Sequence, residues 1–138
     1  MKFVKDVQKI TTMLLCDTNV FIEIYRRNVV ICTELERIGH DNIAVSDVTR
    51  AELFYGAINK SELKMICNDL DQVSTLHINT EISEMAVSLV EQYCLSHKLD
   101  IEDALIAATA IYHNIELFTL NTKDFKFIPG IKLYQIQK

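Results

Sequence analysis

Proline and glycine are scarce: the 138 residues contain one Pro and three Gly. Linkers and low-complexity tracts depend on both, so the chain reads as a single domain. No period recurs along it, which excludes a solenoid. No apolar run approaches the roughly 20 residues that a membrane-spanning helix needs. Near the start, Asp6, Gln8 and Lys9 interrupt what would have to be the apolar centre of a signal peptide. The expected location is therefore the cytoplasm, with no membrane contact.

Cysteine pairing is also missing. Cys16, Cys32, Cys67 and Cys94 contain no C-x-x-C pair, and Cys16 and Cys94 sit in apolar surroundings as small hydrophobes do. Cys94 with His97 is the nearest approach to a zinc half-site. His40, His77 and His113 stand alone, so the second half is wanting and structural zinc is not expected. Positive charge is short as well. A net charge of −5 argues against a protein that holds nucleic acid through bulk basicity. It leaves open a site in which carboxylates hold divalent metal, because the filled site attracts phosphate.

What is present is apolar sequence, 49% of the chain, arranged as alternating strands and helices. The Met-Leu-Leu-Cys run at 13–16 predicts a short buried strand. Residues 42–45, 73–78, 115–120 and 131–134 predict four more, with Pro129-Gly130 as the turn before the last. Helices are predicted at 19–27, at 29–38 closed by Gly39, at 49–57 and at 61–70. The clearest starts at Thr80, where Ile82, Met85, Ala86, Leu89, Val90 and Tyr93 form one stripe. Residues 104–111 are apolar on nearly every face, as befits a helix buried at the centre. The alternation predicts a three-layer α/β/α fold with a mostly parallel sheet of about five strands over 13–138, preceded by an extension at 1–12.

Four acids fall where chemistry is expected. Each also has an ordinary structural use. Asp17, after the first strand, suits a helix N-cap. Glu52 stands three residues after Thr49, as in a capping box. Asp103 suits the first turn of a helix, and Asp124 a polar turn. However, Asp17 and Asp124 follow strand ends, and the helix of Glu52 follows the second strand. Strand carboxyl ends and the helix starts after them share one edge of such a sheet, where sites gather. Asp103 follows a helix, so its arrival at that edge is an assumption. If all four meet, their repulsion calls for a cation. Oxygen ligands select hard ions such as Mg²⁺ or Mn²⁺, which activate water and clamp phosphoryl oxygens.

Four segments carry a resemblance. They are Leu-Cys-Asp-Thr-Asn-Val-Phe at 15–21, Val-Thr-Arg-Ala-Glu-Leu-Phe-Tyr-Gly at 48–56, Asp-Ala-Leu-Ile-Ala-Ala-Thr-Ala at 103–110, and Phe-Thr-Leu-Asn-Thr-Lys-Asp-Phe at 118–125. In this order the chain resembles the PIN domain, and within it the VapC-type toxins of toxin–antitoxin modules. The resemblance implies a Mg²⁺-dependent endoribonuclease acting on RNA, with Mn²⁺ as a possible substitute, a cognate antitoxin and a homodimer. It implies metal-binding roles for Asp17, Glu52, Asp103 and Asp124, with Asn121 in support. Two alternatives stand beside the toxin: a PIN nuclease of housekeeping RNA processing, and a silent binding module, against which the intact acids speak. Arg26, Arg27, Arg50, Lys123 and Lys126 are the nearest basic residues for phosphate contact. Phe21, Tyr25, Phe54 and Tyr55 suit a dimer or antitoxin surface, with Phe21 better placed in the core. The extension at 1–12 departs from the family pattern and has no assigned role.

Overall fold

The computed structural model describes residues 13–136. The extension at 1–12 therefore lies outside the described residues. The strands are β1 (Leu14–Cys16), β2 (Ile43–Ser46), β3 (Ser74–Leu76) and β4 (Glu116–Phe118). The helices are α1 (Thr18–Tyr25), α2 (Val29–Ile38), α3 (Asp47–Tyr55), α4 (Lys60–Leu70), α5 (Thr80–His97) and α6 (Ile101–His113). One sheet holds the strands in the order β3-β2-β1-β4, and every pairing is parallel.

Strand residues alternate between two cores, as a two-residue period requires. Leu15, Ala44 and Leu117 face a layer built from α5 and α6, with Ile82, Ala86, Ala107 and Phe125 among its members. Leu14, Cys16, Ile43, Val45 and Phe118 face the opposite layer, where Val20, Ile31, Leu53 and Ile66 come from α1, α2, α3 and α4. This is the expected α/β/α arrangement. The alanines of α6 explain its central place: Ala104, Ala107 and Ala108 are fully buried, and their small side chains admit close neighbours on every side.

The sheet has four strands, not about five. The predicted strand at 131–134 survives as a single bridge, Leu117 with Leu133. Leu117 N donates to Lys132 O and Tyr134 N to Leu117 O, and the ladder stops there. Beyond it the segment is tied by side chains: the Tyr134 hydroxyl donates to buried Glu34 and accepts from Arg37 of α2. β4 ends early for a related reason. Asp17 N donates to Phe118 O at 2.9 Å, the last bond that β1 can offer before α1 begins.

One predicted cap moves. α3 starts at Asp47, and its N-cap is Ser46, whose Oγ accepts from Thr49 N. Thr49 is thus inside the helix, and the Thr49–Glu52 capping box is absent. Gly39 closes α2 at φ +86°, where a side chain would be strained.

Candidate active site

β1 delivers Asp17 to the carboxyl edge of the sheet. Asp17 is the N-cap of α1, its Oδ1 accepting from Thr18 N at 2.8 Å. Its other oxygen, Oδ2, accepts from Thr119 Oγ1 at 2.8 Å. Asp17 is 7% exposed and lines the cleft described below, so the capping role and a place at the site coexist. Thr119 is held in turn by its own neighbours. Asn19 Nδ2 and Asn121 N both donate to its Oγ1, and Leu120 N donates to Asn19 Oδ1. The loop after β4 is thereby fastened to the start of α1.

Glu52 lies one turn into α3. Its Oε1 accepts from the Thr18 hydroxyl at 2.5 Å, and Thr18 Oγ1 lies 3.1 Å from Thr49 Oγ1. Ser46 and Thr49 are both fully buried beneath it. The displaced cap leaves the Thr49 hydroxyl at this line of oxygens.

Asp103 is brought to the same edge by α6, which packs against α3 and α5. Its backbone N–H donates to Oδ1 of Asp100, the N-cap of α6. Asp17, Glu52 and Asp103 line one cleft of about 680 Å³, with Asn121 at its wall. Asp124, in a 3₁₀ turn at Thr122–Asp124, does not line the cleft. Its charge nevertheless reaches the site, raising both Asp17 and Asp103.

The electrostatics report crowding. Burial pushes Asp103 up to about 7, helped by the charges of Asp100, Asp17, Asp124 and Glu52. Asp17 is also raised, mainly by burial, while its bonds from Thr119 and Thr18 pull the other way. Glu102 joins them unpredicted. It lines the cleft and its carboxyl is raised by a hydrogen bond to Glu52 and by the Glu52 charge. Thr18, Thr119 and Tyr55 were likewise not singled out for the site from sequence. The adjacency of Thr18 to Asp17 and of Glu102 to Asp103 was the signal available for two of them.

The donors around the cleft are oxygens, and no thiol or imidazole lines it, a set that fits a hard divalent cation. Among the described residues, no three acidic, His or Cys side chains are drawn within coordination distance of one point. Both Asp17 oxygens and one Glu52 oxygen already accept hydrogen bonds, and mutual repulsion opposes closer approach.

The basic residues divide. Arg26 and Arg27 line a groove that shares Thr18, Ile22 and Glu52 with the cleft. Arg50 instead lies over the Phe54 ring and donates to Thr75. Phe21 is buried in the core, as expected. Among the described residues, no helix is long and apolar enough to cross a membrane.

The chain is similar to a family of known proteins over most of its length. Residues 14–130 match the PIN domain family. Ribonuclease VapC19 of Mycobacterium tuberculosis is 32% identical over 124 residues, covering 87% of this chain and 98% of the relative. A toxin-antitoxin complex from Klebsiella pneumoniae contains a chain 33% identical, with a TM-score of 0.73 over 89% of this chain and 99% of that one. VapBC2 from Rickettsia felis, crystallised on a DNA fragment from the promoter, gives a TM-score of 0.75 at 26% identity, over 89% of this chain and 98% of that one. A parallel sheet with acids converging at its carboxyl edge, a family match across most of the sequence and relatives covered almost end to end place this chain in the PIN domain family, among its VapC-type members.

Proposed function

We propose that the chain is a metal-dependent endoribonuclease and the toxin of a VapBC-type toxin–antitoxin module. The observation that carries the reading is the meeting of Asp17, Glu52 and Asp103 in one oxygen-lined cleft. Such a cleft suits hydrolysis of an RNA phosphodiester: water adds to phosphorus, one P–O bond to a sugar breaks, and the leaving oxygen takes a proton. Asp17, Glu52 and Asp103 would hold Mg²⁺ or Mn²⁺, with Asp124 supplying further negative charge. When bound, the cation supplies activation of water and neutralisation of charge on phosphoryl oxygens.

The protein's own residues prepare that site. Thr119 and the Thr18 amide fix Asp17, and the Thr18 hydroxyl fixes Glu52. Orientation of this kind lowers the barrier because ligands do not reorganise during reaction. The toxin reading draws on the relatives, one of which is named a ribonuclease and another a toxin-antitoxin complex. It includes a cognate antitoxin and a homodimer. A PIN nuclease of RNA processing shares the chemistry and differs in lacking an antitoxin.

The test is cleavage of labelled RNA by purified protein. Excess EDTA abolishes cleavage, and Mg²⁺ or Mn²⁺ restores it. Cleavage persisting in EDTA, with contaminating nuclease excluded, overturns the metal mechanism. Neutralisation by the product of an adjacent gene separates the toxin from a processing nuclease. Light scattering showing only a 15.9 kDa species at micromolar concentration counts against the dimer.

A further inference from the structure

Tyr55 is a large aromatic residue left almost wholly in solvent, 93% exposed, on the wall of the carboxylate cleft. It is the last residue of α3 and stands three positions after Glu52. Residues so spaced share a helix face, with Cβ atoms about 5–6 Å apart, a separation that one nucleotide bridges. Ala51 and Ile22, which is 39% exposed, add apolar surface to the same cleft. An exposed aromatic ring beside a cluster of acids is not explained by packing, since burial is what makes such a ring stabilising. The cleft volume of about 680 Å³ also falls in the range of small-molecule sites, well beyond the needs of a hydrated cation.

We propose that Tyr55 is the base-stacking residue of the site, holding the base of a nucleotide next to the phosphate being cut in single-stranded RNA. Unpaired bases are bound by stacking on aromatic rings, and every base offers a π-face. Two observations favour RNA over a protein partner. Tyr55 lines the cleft with Asp17, Glu52 and Asp103. It does not line the neighbouring apolar groove of Leu53, Met65 and Ile66 between α1 and α4. The strand has a route onward, because that groove opens from the cleft at Thr18, Ile22 and Glu52 and carries Arg26 and Arg27. The inference rests on the ribonuclease reading and adds how substrate is seated.

The chain contains no tryptophan, so Tyr55→Trp makes a single fluorescent reporter at this position. With cleavage disabled by Asp103→Asn and Mg²⁺ present, single-stranded RNA quenches that fluorescence, and double-stranded RNA quenches it far less. With Asp103 intact, Tyr55→Ala raises KM for single-stranded RNA by about five- to a hundredfold, the range for loss of one stacked base. Tyr55→Phe keeps the parent KM, because the ring stacks without its hydroxyl. Tyr55→Ala and Tyr55→Phe keep the parent melting temperature, since the side chain is in solvent. The proposal is overturned if Tyr55→Ala keeps the parent KM and RNA leaves the tryptophan unquenched. It is overturned equally if Tyr55→Ala cuts RNA as the parent does but escapes its antitoxin, which assigns the ring to a protein partner. A parent that never cuts RNA in Mg²⁺ is a different result, because it removes the ribonuclease reading itself.

Discussion

Thr119 Oγ1 donates a 2.8 Å hydrogen bond to Asp17 Oδ2 across 102 positions of sequence. The pair joins the end of β1 to the loop after β4 at the edge where the acids meet. Thr119→Val keeps the shape and removes the donor, leaving a buried carboxylate oxygen without its partner. The expected cost is about 1–3 kcal/mol of stability. Thermal melting measures that loss, and RNA cleavage falls with it because Asp17 is no longer oriented. Thr119→Ser restores both.

Thr18 holds Glu52 in the same manner, but in a more open setting. Thr18→Val removes the hydroxyl from Glu52 Oε1, while Glu52 keeps access to water. The expected stability loss is therefore below about 1 kcal/mol. The larger effect is on the site: several-fold slower cleavage and a higher Mg²⁺ requirement. A metal titration that overlays the parent shows that Thr18 does not orient Glu52.

Asp103 separates stability from function. Its carboxyl is raised from the ordinary 3.8 to about 7 in the folded chain. The folded state therefore binds more protons than the unfolded state between those values, and stability falls as pH rises through that window. Above about pH 7 the ionised group is destabilising. Asp103→Asn raises the melting temperature of metal-free protein by about 3–5 °C at high pH, allowing for solvent screening of a half-buried group. It gives no gain below about pH 4. The same variant cuts no RNA and is stabilised less by added Mg²⁺, because stabilisation follows binding. Near-parent turnover at saturating Mg²⁺ would return Asp103 to an ordinary place in the first turn of α6.

Asp124 and Asn121 divide the fourth position between charge and proximity. Asn121 lines the cleft and is neutral, while Asp124 stands off the cleft and bears on Asp17 and Asp103 through its charge. Asp124→Ala is expected to weaken cleavage, with partial recovery at high Mg²⁺. Asn121→Ala is expected to have the smaller effect. If Asn121→Ala is inactive and Asp124→Ala titrates like the parent, the fourth place belongs to Asn121.

Much of this protein is decided over short stretches of chain. Short stretches rich in apolar and β-branched residues locate the first four strands, and the stripe from Ile82 to Tyr93 locates α5, because both signals are local. Asp17 after β1 and Glu52 after β2 reach the site for a similarly local reason: a parallel sheet sends all its strand ends to one edge. Other features depend on partners distant in sequence. Asp103 follows a helix, and only the packing of α6 against α3 and α5 brings it to that edge. Glu102 meets Glu52 through that same packing of α6 on α3, and Thr119 meets Asp17 because the sheet order β3-β2-β1-β4 puts β1 beside β4. The segment after Pro129-Gly130 has the composition of a strand, yet it makes one bridge because Tyr134 is held by Glu34 and Arg37. Ser46 caps α3 in place of Thr49 because β2 runs directly into the helix. Residue types and periods set the elements and supplied the acids, whereas the choice of which acids and hydroxyls converge was made by packing, since their contacts span tens to a hundred residues.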